Sequence, residues 1–212
     1  MAIQKNNDDE KKFLSSPEIA ENLSLLKELG LIDHIESLNE KIDSYKNLFA
    51  SALDIVKRIS TETSIIIMDV DYFKDFNDSY GHLAGDRVLE NLEITIKKGI
   101  RPGDVPSRFG GEKFTILLPD ANSEMAWTVA EQLRTMVENM KVEWEPPLPQ
   151  VTISLGVFTF QKSSNLTADE IMGRADEALY ISKQMGRNRS TAWGAGLLNR
   201  IELMKREKDS RA

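Results

Sequence analysis

Between Leu31 and Val56 the apolar residues fall at Leu31, Ile35, Leu38, Ile42, Tyr45, Phe49, Ala52 and Val56, in alternating steps of four and three. That spacing keeps one helix face apolar over about three and a half heptads and predicts a coiled-coil seam joining two copies of the chain. Leu48, Leu53 and Ile59 widen the stripe near its end, as in an amphipathic helix docked on its own domain. The expectation carried forward is a homodimer through residues 31–59. Ahead of the seam, Ser16, Pro17 and Glu18 with Gly30 as a stop predict a shorter helix.

Past Thr61 the pattern changes to alternating elements. The run Ser64 to Met68 predicts a buried strand, Leu83 to Ile100 a helix, and the residues around Gly110 and Gly111 two short strands. Glu124 to Met140 predicts a helix and Val151 to Phe160 a strand containing small residues. Ala168 to Met185 predicts a helix closed by Gly186, followed by a short strand through Ala192. This order predicts an α+β sheet layered with helices. Leu197 to Lys208 predicts a short amphipathic helix fraying into a charged tail. The resulting organisation is a mobile tail over 1–15, a helical dimerisation segment over 16–60, a sheet domain over 61–194, and a C-terminal helix and tail over 195–212.

Composition narrows the partners. Lys and Arg total 27 against 34 Asp and Glu, a net charge of −7 that repels nucleic-acid backbones and anionic lipid surfaces. Neither nucleic acid nor membrane is expected as a partner. No stretch approaches the roughly 18 uninterrupted apolar residues of a spanning helix, and MAIQKNNDDEKK lacks the apolar centre of a signal peptide, so a cytoplasmic location is expected. The chain has no cysteine, which excludes disulfides and thiolate metal sites and leaves oxygen ligands open.

Two segments carry candidate chemistry. In MDVDYFKDFNDSYGHLAGDRVL a hydrophobic strand ends at Asp69 and Asp71, where side chains leave a sheet and a carboxylate can take a hard cation. An Asp there also suits a turn or a helix cap. In RPGDVPSRFGGEKFTILLP two strand-like runs are joined by Gly110 and Gly111. Paired glycines supply positive φ for a tight hairpin and let main-chain amides approach phosphate.

With these segments in view, the sequence resembles the GGDEF family, whose members condense two GTP molecules into cyclic di-GMP. The resemblance runs from about Thr61 to Ala192 through DVDYFKDFND, GHLAGDRVL, RFGGEKF, VTISLGV and ADEALYISKQMGRNR, in that order. It implies a central, mostly antiparallel sheet flanked by helices. It also implies magnesium or manganese held by Asp69, Glu112 and the carbonyl of Val70. Glu112 would support deprotonation of a GTP 3′-hydroxyl that attacks the α-phosphate of a second GTP on the partner subunit. Asn77 and Asp86 match residues that bond the guanine edge, and His82 lies in the same pocket. Lys74, Lys183 and Arg187, with Gly110 and Gly111, match positions around the triphosphate. Arg101 and Asp104 match an RxxD pair that binds cyclic di-GMP as an inhibitory site. The sequence R-P-G-D is equally good turn chemistry, in which the pair would be a surface salt bridge.

The signature departs from the family at Lys113, which stands where an acid is expected. Unit charges about 5 Å apart interact by roughly 3 kcal/mol at an effective dielectric near 20, and exposure reduces this severalfold. Adjacent strand residues point to opposite faces, so Lys113 is expected to turn away from a metal held by Glu112, or to contact phosphate. Two functions follow. One is a cyclic-di-GMP receptor and interaction module with weak or no cyclase activity, read by a protein partner. The other is a working cyclase with product inhibition at Arg101 and Asp104.

Overall fold

The computed structural model describes residues 51–58 and 60–194. The helix expected after Ser16, the seam from Leu31 to Phe49 and the helix expected from Leu197 lie outside the described residues.

The central strand is β1 (Glu62–Val70). Its unbroken run of Ile65, Ile66, Ile67 and Met68 is buried throughout because both faces of the sheet are covered. The alternation of a strand divides these side chains between two cores. Ile66, Met68 and Val70 pack on one side with α1 (Phe73–Tyr80), α2 (His82–Gly99) and α3 (Ser123–Glu138). Ile65 and Ile67 pack on the other with α4 (Ala168–Gln184) and the helical residues 51–58.

The other strands are β2 (Val105–Gly110), β3 (Lys113–Pro119), β4 (Ile153–Gln161) and β5 (Ser190–Ala192). They form one sheet in the order β2-β3-β1-β4-β5, with every neighbouring pair antiparallel except β4 and β5. The mostly antiparallel sheet with flanking helices is therefore as expected.

One feature was not anticipated, and one of two alternatives is met at the end of the stripe. The polar stretch after β1 forms α1, which buries Phe73 and Phe76 against the first core. The last seam positions also do not all face outward, since Val56 and Leu53 are buried against Ile65, Leu117 and Phe160 of their own domain. Burying such side chains contributes about 1.5–3 kcal/mol each, so this part of the stripe is held within the domain.

The approach of α4 to the sheet is set by Gly156 in β4. A Cβ there would lie 2.1 Å from Ala175 O and 2.3 Å from Leu179 N. Only glycine lets the helix backbone come this close, and this draws the side chains of α4 onto the end of β1. The helix starts at a capping box, Thr167 with Glu170, which satisfies its first amides.

Candidate functional site

Antiparallel pairing gathers three chain segments at one end of the sheet. Asp69, at the end of β1, lies opposite Lys113 of β3 on one side and Ser154 of β4 on the other. The β2–β3 hairpin therefore turns beside Asp69. Gly110 and Gly111 have φ of 140° and 50°, a region that side chains rarely adopt, so the turn depends on both glycines. Arg108 Nε donates to Gly111 O at 2.9 Å and braces it. Glu112 occupies the tip, half-buried.

Directly opposed residues of an antiparallel pair share a face of the sheet. Asp69 and Lys113 thus both emerge toward α4, where each meets an opposite charge. Lys183 Nζ lies 2.7 Å from Asp69 Oδ1, and Lys113 Nζ lies 2.7 Å from Asp176 Oδ1. Positions 176 and 183 are two helical turns apart on one face of α4. The result is two ion pairs on one face, with Lys113 near enough to Asp69 to act on its carboxyl. Lys113 is thus turned toward α4 as well as off the hairpin tip, and it stands on the face of Asp69 rather than away from the family's metal position. Burial raises the Asp69 carboxyl from its ordinary value, the Lys183 ammonium pulls it back, Glu112 pushes it up, and Lys113 pulls it down.

The resemblance places a divalent cation at Asp69, Val70 and Glu112. The Val70 side chain is buried on the opposite face, so only its main chain is available. Asp69 and Glu112 share this corner with Lys183, which is bonded directly to Asp69, and with Lys113, which is bonded to Asp176. Among the described residues no set of three or more acidic or His side chains is placed to hold a metal ion. With Lys183 bonded to Asp69 and Lys113 on the same face, these residues as arranged do not fit a divalent ion, which would have to displace one ammonium and settle beside the other.

Asp71 is not part of this donor set. Its buried carboxylate accepts from Thr152 Oγ1 at 2.7 Å, Ser154 Oγ at 2.6 Å and the Asn188 amide at 3.0 Å. Asn188 in turn bonds Arg134 Nη1 at 3.1 Å and Glu138 Oε1 at 2.8 Å on α3. This network fixes the turn after α4, where Arg187 and Asn188 both adopt positive φ. Arg187 consequently lies over the ring of Tyr72, with its Cζ 4.2 Å from the centroid and Nη1 3.1 Å from the hydroxyl. Tyr72 also has positive φ, and it opens α1 without a side-chain cap. The first amides of α1 are therefore free to meet an anion immediately after Asp69.

Lys74 and Asn77 lie on α1, and His82 and Asp86 on the first turns of α2. Lys74, His82 and Asp86 are exposed. Asn77 is half-buried, and its Oδ1 is fully enclosed without a hydrogen-bond partner. That oxygen sits where a Cβ on Gly85 would collide with it at 1.9 Å. An orphaned acceptor of this kind costs stability unless a ligand donor meets it.

Arg101 and Asp104 lie at the other end of the sheet, before β2. β3 separates them from the hairpin by about 20 Å at roughly 3.4 Å per residue. The Asp104 side chain, 1% exposed, accepts from the Arg101 amide at 3.0 Å and from Arg101 Nε at 3.2 Å. Arg101 Nη2 reaches Pro119 O at 2.5 Å. The Arg101 side chain remains 49% exposed, at a pocket of about 310 Å³ that includes Ile100, Leu118, Met125 and Val129.

Sequence reasoning did not find Tyr72, Asp176, Asn188 or the free amides of α1. The spacing of Asp176 and Lys183 was visible, but the partners they meet depend on strand register.

Comparison with known proteins agrees with this architecture. Residues 33–189 match the family described as diguanylate cyclase, GGDEF domain. The chain is 44% identical over 128 residues to diguanylate cyclase A of Treponema denticola, covering 60% of this chain and 34% of that protein. Among solved structures, it superposes on the coiled coil and GGDEF domain of DgcB from Caulobacter crescentus in complex with c-di-GMP. That match has a TM-score of 0.64 and 26% identity, over 82% of this chain and 98% of that one. The active GGEEF domain of a diguanylate cyclase from Vibrio cholerae gives a TM-score of 0.62 at 31% identity, over 68% and 90% of the two chains. The chain spans about a third of the length of the curated relatives it matches. Among the described residues, no helix is long and apolar enough to cross a membrane.

Proposed function

The chain belongs to the GGDEF family of diguanylate cyclase domains, and on that premise we propose that it is a cyclic-di-GMP receptor and interaction module with weak or no cyclase activity. The observation that carries this reading is the arrangement of Arg101 and Asp104. A buried carboxylate grips the main chain and Nε of the arginine and Pro119 O takes Nη2, which leaves Nη1 and the exposed face of the guanidinium at the rim of an open pocket. A guanidinium suits a guanine base, on which it stacks and to whose acceptors it donates. The same planar group suits the phosphates of a cyclic dinucleotide.

The hairpin end is proposed to hold GTP. Asn77 Oδ1, an acceptor lacking a donor, and the exposed Asp86 carboxylate suit the N1 and N2 donors of guanine. His82 lies at the start of the same helix. Lys74, Lys183, Arg187, the open turn at Gly110 and Gly111, and the free amides of α1 suit the triphosphate. Dimerisation through residues 31–59, apart from Leu53 and Val56, which their own domain buries, and a protein partner that reads the bound state complete the proposal.

A working cyclase is the second reading. The retained hairpin geometry favours it, with Glu112 at the tip beside Asp69. Glu112 would then assist loss of a proton from a GTP 3′-hydroxyl as it attacks the α-phosphate of GTP on the partner subunit. Magnesium or manganese supplies charge neutralisation to this chemistry in the family.

Calorimetric titration of nucleotide-stripped protein with cyclic di-GMP tests the receptor reading. The protein should bind, and Arg101→Ala should weaken binding at least tenfold. Absence of binding, or binding indifferent to Arg101→Ala, overturns it.

A further inference from the structure

We propose that the hairpin end binds a guanosine triphosphate without a divalent cation, with Lys113 supplying the positive charge that the family takes from a metal. The inference rests on the nucleotide reading given above for this end of the sheet and states what neutralises the phosphates there.

The signature lysine does not merely subtract from a metal site. Register puts Lys113 opposite Asp69, on one face of the sheet. The close approach of α4 over Gly156 brings Asp176 and Lys183 onto that face. Asp69 and Asp176 are thus each held by a lysine, Lys183 and Lys113, while Glu112 at the tip adds a third carboxylate beside Asp69. A divalent cation would have to displace Lys183 from Asp69 and settle beside the second ammonium. A triphosphate meets the opposite situation, because both lysines offer it a point charge with several donors.

The pairs are also suited to exchange. In the Lys113–Asp176 pair the side chains are 35% and 54% exposed, and ion pairs in that setting are held weakly. Lys113 can leave Asp176 for phosphate while the solvated Asp176 takes up water. Asp69 is enclosed, and the lysine opposite it preserves its charge balance when Lys183 turns to the ligand. The uncapped first turn of α1 adds main-chain donors beside the same position.

The test is calorimetry on the full chain with a GTP analogue carrying a methylene bridge between its α and β phosphorus atoms, which prevents turnover. It is titrated in excess EDTA and again in excess magnesium. The natural protein should show dissociation constants within about threefold of each other. Lys113→Glu should bind at least tenfold more weakly in EDTA than in magnesium. A tenfold or greater dependence on magnesium in the natural protein overturns the inference and leaves the nucleotide reading standing. Absence of binding in both buffers overturns both.

Discussion

The two ends of β3 carry charged groups of similar kind held in different ways. At the Pro119 end, Arg101 and Asp104 are three residues apart, and a single turn sets their geometry. The carboxylate there is fully enclosed and has both oxygens bonded. At the Lys113 end, four charged side chains come from β1, β3 and α4, and their pairs are partly solvated. The first arrangement is prebuilt and presents one guanidinium face, since Asp104 and Pro119 O already hold Nε and Nη2. The second is exchangeable, since each group already has a partner that it can give up. A prebuilt site suits a ligand that is only read, whereas an exchangeable one suits a highly charged ligand that must displace internal contacts.

If this contrast is correct, the largest effect comes from breaking the rigid frame beneath the exchangeable end. Asp71→Ala removes an acceptor of three bonds and leaves Thr152, Ser154 and the Asn188 amide without it. The domain should lose about 3 kcal/mol, as measured by denaturant unfolding. At the prebuilt end, Asp104→Ala frees Arg101 from its main-chain grip. Affinity for cyclic di-GMP should fall about thirtyfold, or roughly 2 kcal/mol, while GTP binding at the hairpin end stays unchanged in the same calorimeter.

A smaller effect separates the ends by pH. The Asp69 carboxyl is raised above its ordinary value of 3.8, chiefly by burial. The folded state therefore holds this proton more tightly than the unfolded chain. Asp69 costs stability as pH rises from its ordinary value, and the cost is complete once pH exceeds the folded value. Asp69→Asn should raise the unfolding midpoint by about 2 °C near pH 7. The gain should vanish as pH falls toward 3.8 and below, where both forms are neutral. Thermal scans across that range check the sign.

Much of the fold was legible because its signals are local. The run Ser64 to Met68 marked a buried strand, Ala168 to Met185 with Gly186 as a stop marked α4, and the paired glycines marked the hairpin. The short helix α1 was missed because its eight residues offer only Phe73 and Phe76 as buried anchors, and it opens from a tyrosine with positive φ. The RxxD pair was readable from four consecutive residues. The partners of Lys113 and Asp71 were not, because they depend on register between β1, β3 and β4 and on how closely α4 approaches Gly156. Lys113 opens β3, and alternation assigns it a face of its own strand. The same alternation does not reveal that Asp69 stands opposite Lys113.

The most direct test of the receptor reading is turnover. Nucleotide-stripped protein is incubated with GTP and magnesium, and cyclic di-GMP is followed by chromatography. The account predicts that GTP persists and that little or no cyclic product forms, although cyclic di-GMP itself is bound. Steady accumulation of product would contradict the account, establish a cyclase that tolerates Lys113, and recast Arg101 and Asp104 as its brake.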